Sequence, residues 1–141
     1  QYQPSMSDTL RIHGDCHVGN LLWRDEQLYV VDFDDCVQGP AMQDIWMLLS
    51  GEREEQLQQL EAIRKGYEIF QPFPYHQLKW IECLRTIRLI KHTAWVVERW
   101  SDPAFPIAFP WFTGVRYWSE HVLSLREQLA ALQEAPLYIP N

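Results

Sequence analysis

His13-Gly14-Asp15-Cys16-His17-Val18-Gly19-Asn20, with Val30-Val31-Asp32-Phe33-Asp34-Asp35 beyond it, is the stretch from which the rest of this chain can be read. Asn20 stands five residues after Asp15, and Asp32 twelve residues after Asn20. A carboxylate in the first position can accept the proton of an attacking hydroxyl. An amide oxygen and a second carboxylate can hold the magnesium ions that bridge the phosphates of ATP. Two short apolar runs, 21–24 and 28–33, flank Asp25-Glu26-Gln27 and predict a β-hairpin. Such a hairpin carries Asn20 and Asp32 back to one place and turns a sequence gap into a shared metal site.

Other side chains in the stretch have competing readings. In an extended strand Asp32 and Asp34 project to one face and Asp35 to the other, so local chemistry leaves Asp34 a rival for metal contact. His13 reads as a residue that orients the loop by hydrogen bonding. His17 has three readings: it stabilises Asp15, it approaches the phosphates, or it is structural. Gly14 and Gly19 permit tight backbone turns or close approach.

The 141 residues are enough for one domain with a real core. The chain is 47% hydrophobic and carries a net charge of −7, which argues against nucleic acid or an anionic membrane as a main partner. No apolar run approaches the roughly 18 residues of a membrane helix. Cys16, Cys36 and Cys83 fit no metal-binding spacing and read as thiols of a reducing compartment, Cys16 as a packing residue. Seven Trp, six Tyr and six Phe form a heavy aromatic load, which means a large core or a surface that meets another lobe.

Beyond the loop the pattern turns helical, over 41–50, 52–70, 76–100 and 114–133. Leu57, Leu60, Ile63, Tyr67 and Phe70 form one stripe. Leu78, Ile81, Leu84, Ile87, Ile90, Ala94 and Val97 form a second, and Val115, Trp118, Val122, Leu125, Leu129 and Leu132 a third. Residues 1–9 read as a linker, 102–112 as a loop with Trp and Pro packing, and 136–141 as a tail.

The element H-G-D-x-H-x-x-N resembles the catalytic loop of the aminoglycoside phosphotransferase and choline kinase superfamily. The wider runs HGDCHVGNLLWRD, VVDFDD, GPAMQDIWMLLSG and WSDPAFP resemble the stress response kinase A family of bacterial Ser/Thr protein kinases, over nearly the whole chain. That resemblance implies a mainly helical α+β fold, a protein-kinase-like C-lobe with a small hairpin beside the catalytic loop. It implies Asp15 and Asp32 as catalytic residues, and Asn20 and Asp32 as the ligands of Mg2+ and of ATP as co-substrate. It favours Asp32 over Asp34 and makes Asp44 a support for the loop from a helix start. It further implies protein Ser/Thr hydroxyls as acceptors, autophosphorylation, a cytoplasmic location and a role in stress response.

No G-x-G-x-x-G or G-x-x-x-x-G-K-[ST] occurs, and the three lysines, Lys65, Lys79 and Lys91, all follow the loop. The expectation is therefore a C-terminal lobe, 10–135, of a larger protein whose N-terminal lobe grips the nucleotide, with the isolated chain catalytically silent. A small-molecule alcohol or amino-sugar kinase is the alternative within the same chemistry. Two further classes are a metal-dependent hydrolase built on His13, Asp15, His17 and Asp32, and a non-catalytic binding module.

Overall fold

The computed structural model describes residues 8–140. The chain forms two compact units, one reaching to Ile81 and including the segment from Pro136, the other Glu82–Ala135. The fold is α+β and mainly helical. Strands β1 (Leu10–Ile12), β2 (Leu21–Arg24), β3 (Gln27–Val30) and β4 (Val37–Gly39) lie in the first unit with helices α1 (Met42–Trp46) and α2 (Arg53–Tyr67). A 3-10 turn at Tyr75–Trp80 leads into α3 (Ile81–Glu98), followed by α4 (Ala104–Ala108) and α5 (Val115–Ala131).

The predicted hairpin is β2–β3, antiparallel with Arg24 opposite Gln27, so its loop is the two residues Asp25 and Glu26. Both have positive φ, 51° and 60°. That is the mirror-image turn whose twist matches the flanking strands, and it forms here without the glycine such turns favour. A second antiparallel pair joins β1 to β4, with Leu10 opposite Gly39 and Ile12 opposite Val37. Three-residue strands so far apart leave no periodic trace in sequence. Their pairing brackets the His13–Asn20 loop and returns the chain after the hairpin to its start.

Met42 and Leu60 are fully buried in the first unit, with Ile12, Ile45, Phe73, Leu78 and Ile81 also in the core. Gln77, also buried, ties two segments together. Its Oε1 accepts from the Met42 N–H at 3.1 Å, and its Nε2 donates to the Asp8 carbonyl at 2.9 Å. Of the expected linker, residues 1–7 lie outside the described residues. The terminal segment read as a tail belongs to this unit, with Leu137 and Ile139 buried and the Pro136 carbonyl accepting from Arg53 at 2.8 Å.

Several helices differ from their predicted extents. The 41–50 helix ends at Trp46, the 76–100 helix begins as a 3-10 turn, and α4 interrupts the expected loop at 102–112. Helix α2 ends at Tyr67, which leaves Phe70 exposed instead of on the core stripe. In the second unit Leu84, Val96 and Phe112 are buried, and polar side chains share the seam with them. Thr93 of α3 bonds Tyr117 Oη at 3.0 Å and His121 Nε2 at 3.3 Å on α5. Gln128 Nε2 donates to the Glu82 carbonyl and carboxylate at 3.1 and 2.7 Å. These bonds turn Tyr117, His121 and Gln128 towards α3, so Val115, Val122 and Leu129 are exposed. The expected aromatic packing forms beside them, Trp95 against Phe105 and Phe109 and Trp111 against Tyr117.

Left-handed backbone at a residue with a side chain costs about 1–2 kcal/mol. Glu26→Gly should therefore raise the unfolding free energy by about 1 kcal/mol, seen as a higher denaturant midpoint. A lower midpoint would contradict the turn described here.

Candidate active site

The loop from His13 to Asn20 is held from three directions, each hold beginning in a named residue. Asp44, in the first turn of α1, places its two carboxylate oxygens on successive backbone N–H groups. Oδ2 accepts from His13 at 2.7 Å and Oδ1 from Gly14 at 2.9 Å. A charged acceptor taking two backbone donors is among the stronger hydrogen-bond arrangements. Gln43, one residue earlier, adds a longer bond from Nε2 to the Gly14 carbonyl, 3.4 Å.

The His13 ring makes the second hold. A carbonyl can only accept, so the 2.8 Å contact of Nε2 with the Val31 carbonyl requires a proton on Nε2. Nδ1 then accepts from the Asp15 N–H at 3.3 Å. The buried ring thus links the backbone of the loop to the strand exit that precedes Asp32, and Phe33 lies against it with centroids 5.0 Å apart. The orienting role read for His13 has this physical form.

Asn20 makes the third. It is buried, and its side-chain Nδ2 donates to the Asp15 carbonyl at 3.0 Å. Its own carbonyl accepts from the Val31 N–H at 3.0 Å, one step beyond the Leu21–Val30 pair of the hairpin. With the amide nitrogen committed to Asp15, the amide oxygen is the end left to ligate a cation. The hairpin thereby ties Asn20 to the residue before Asp32.

Asp32 departs from the extended geometry assumed in the sequence. Its φ of 65° and ψ of 67° are left-handed, and Phe33–Asp35 follows as a 3-10 turn. The alternation that put Asp32 and Asp34 on one face therefore does not apply. Asp tolerates this conformation better than most residues. The turn also brings the Asp35 backbone against the loop. Gly14 has φ +87°, and a Cβ there would collide with the Asp35 carbonyl oxygen. Gly14 is needed for its backbone conformation and for this close approach.

Asp15 is three-quarters or more buried at its side chain, 18% exposed, and its Oδ2 lies 3.4 Å from His17 Nε2. Cys16 sits between two acids. Burial first, then the carboxylates of Asp44 and Asp15, push its thiol up from the ordinary cysteine range. The Asn20 amide oxygen and the exposed Asp32 carboxylate are of the donor type that would suit Mg2+, which takes few protein ligands and retains water. Among the described residues no three His, Cys, Asp or Glu side chains gather as a metal cluster, and both nitrogens of His13 are engaged by backbone groups. Among the described residues His13, Asp15, His17 and Asp32 do not gather as such a cluster. Sequence reasoning missed Gln43, Gln77 and the contact of Phe33 with His13, since each joins positions with no shared motif or periodicity.

The sequence model of the phosphotransferase enzyme family matches residues 1–81, the span that contains this entire site. The chain belongs to the phosphotransferase enzyme family. It is 51% identical over 130 residues to stress response kinase A of Escherichia coli K12, covering 92% of this chain and 39% of that protein. It is 50% identical over 131 residues to the serine/threonine protein kinase RdoA of Salmonella typhimurium, covering 93% and 40%. The resemblance read from the loop and the Trp- and Pro-rich runs is borne out, as is the α+β kinase-like fold class. The chain spans about two fifths of the length of these relatives.

Asp44→Ala removes the acceptor of two backbone donors and should cost about 1–3 kcal/mol of stability. Asp44→Asn, which keeps one acceptor oxygen, should fall between it and the native chain by chemical denaturation; equal stability of all three would contradict the arrangement. For the cysteines, alkylation at neutral pH should label exposed Cys36 before Cys16, with Cys16 labelling rising only as the solution becomes alkaline. Mass spectrometry showing Cys16 labelled first would contradict the raised thiol.

Proposed function

We propose that this chain carries the catalytic loop of an ATP- and Mg2+-dependent phosphotransferase that acts on Ser/Thr hydroxyls of proteins. The observation that supports the reading is the hydrogen-bonded unit joining the backbones of Asp15, Asn20 and Val31, the residue before Asp32. Asp15 acts as the base, orienting the acceptor hydroxyl and taking its proton. Asn20, through its amide oxygen, and Asp32, through its carboxylate, hold the metal, and Asp32 in doing so is the second catalytic residue. Bound Mg2+ and ATP supply the transferable phosphoryl group and the charge that neutralises its oxygens. The contribution of the protein is positioning, since such transfer asks little covalent chemistry of it.

A protein acceptor, with autophosphorylation as one outcome, is favoured over a small alcohol by the name serine/threonine protein kinase carried by a half-identical relative. The relatives named stress response kinase A support a part in bacterial stress response. The reading assigns the nucleotide grip to a lobe outside these 141 residues, because the chain holds neither phosphate-loop pattern and relatives are far longer. Residues 10–135 are then its kinase-like C-terminal lobe. Three cysteines without a disulfide support a cytoplasmic location.

Transfer of labelled γ-phosphate by the full-length protein carrying this chain tests the reading. Label should appear on protein Ser/Thr, and Asp15→Asn should reduce it by about 10²–10⁴-fold, the usual worth of a positioned base. Undiminished transfer by Asp15→Asn would overturn the role of Asp15. Label confined to added alcohols or amino sugars would move the acceptor to small molecules.

A further inference from the structure

We propose that His17 is a positioning residue that restrains the Asp15 carboxylate through its Nε2–H, in a tautomer imposed by the turn that His17 itself caps. The inference deepens the proposed function and rests on Asp15 being the base. His17 is the residue before the 3-10 turn Val18–Asn20, and its Nδ1 accepts the Gly19 N–H at 3.0 Å. A ring nitrogen that accepts a backbone N–H carries no proton, so the proton of the neutral ring sits on Nε2. That nitrogen lies 3.4 Å from Asp15 Oδ2.

The backbone around the ring is pinned as well. The His17 N–H donates to the Asp15 carbonyl at 2.9 Å, and the Asn20 N–H to the His17 carbonyl at 2.9 Å. Gly19 completes the arrangement. A Cβ there would stand 2.7 Å from His17 Cε1 and 2.9 Å from Nδ1, so the absence of a side chain lets the ring lie over the turn.

A side chain serving only as a cap needs one nitrogen on the turn, whereas here the second nitrogen faces the base. At 3.4 Å the contact is longer than the usual N–H···O bond. Catalytic contacts in unliganded sites commonly are, and they shorten once substrate is bound. Its work is to limit rotation of the carboxylate, an effect felt in turnover more than in nucleotide affinity.

Two substitutions separate the cap from the restraint. Asn is a good cap and its oxygen can accept the Gly19 N–H, but its side chain is too short to reach Asp15. Gln carries an N–H donor at about the reach of the imidazole Nε2. In the full-length protein, His17→Asn should lower kcat for phosphate transfer by about 100-fold, the scale of a small misplacement of a reacting group. KM for ATP should stay within about twofold. His17→Gln should recover most of kcat.

Native kcat in His17→Asn would overturn the proposal and leave His17 a cap, and equal losses in both variants would overturn it by showing that an N–H donor at this reach restores nothing. Asp15→Asn run beside them keeps the two readings apart, since its undiminished transfer would remove the base and not the histidine contact. Long-range ¹H–¹⁵N NMR of the native protein at mildly alkaline pH gives a readout independent of variant folding. The Nε2–H tautomer is expected for His17, and the Nδ1–H tautomer would overturn the assignment.

Discussion

The grip of the Asp44 carboxylate on the N–H groups of His13 and Gly14 is the interaction on which the rest of the site depends. It joins the first turn of α1 to the start of the His13–Asn20 loop through two short, charge-assisted bonds. Once His13 and Gly14 are placed, the imidazole reaches the Val31 carbonyl, Asp15 offers its N–H to that ring, and Asn20 returns its amide to Asp15. Every proposed chemical group is thus one or two hydrogen bonds from a helix that has its own buried anchors, Met42 and Ile45. The arrangement is of the kind catalysis by positioning requires, with functional side chains held by partners that are themselves fixed.

Much of this was legible because the motif is local. The five-residue step from Asp15 to Asn20 and the hairpin between Asn20 and Asp32 follow from short-range spacing, while the place of Asp44 as a support at a helix start is what the family resemblance implies. The backbone at Asp32 was not legible. A run of apolar and acidic residues reads as strand, but the close approach of the Asp35 carbonyl to Gly14 accompanies a left-handed residue and a 3-10 turn. The β1–β4 pair escaped for a related reason, since three-residue strands are defined by their partners and not by their own pattern.

The second unit shows where periodicity misleads. Apolar spacing along α5 predicted a core stripe through Val115, Val122 and Leu129, yet these are exposed. Beside buried Leu84, Val96 and Phe112, polar pairs line the seam, Thr93 with Tyr117 and His121, and Gln128 with Glu82. A buried hydroxyl or amide must find its partner or incur a desolvation cost, so a few well-placed hydrogen bonds can fix the rotation of a helix. The site itself lies wholly within the first unit, and its reading is unaffected by that rotation.

The central claim is that the fixed loop presents Asp15, Asn20 and Asp32 to one metal–nucleotide complex. A crystal structure of the full-length protein with Mg2+ and a non-hydrolysable ATP analogue tests it most directly. The account predicts metal on the Asn20 amide oxygen and the Asp32 carboxylate, with the Asp15 carboxylate facing the terminal phosphate. Metal held by Asp34 or Asp35 in place of Asp32, or phosphates bound away from Asp15, would contradict it.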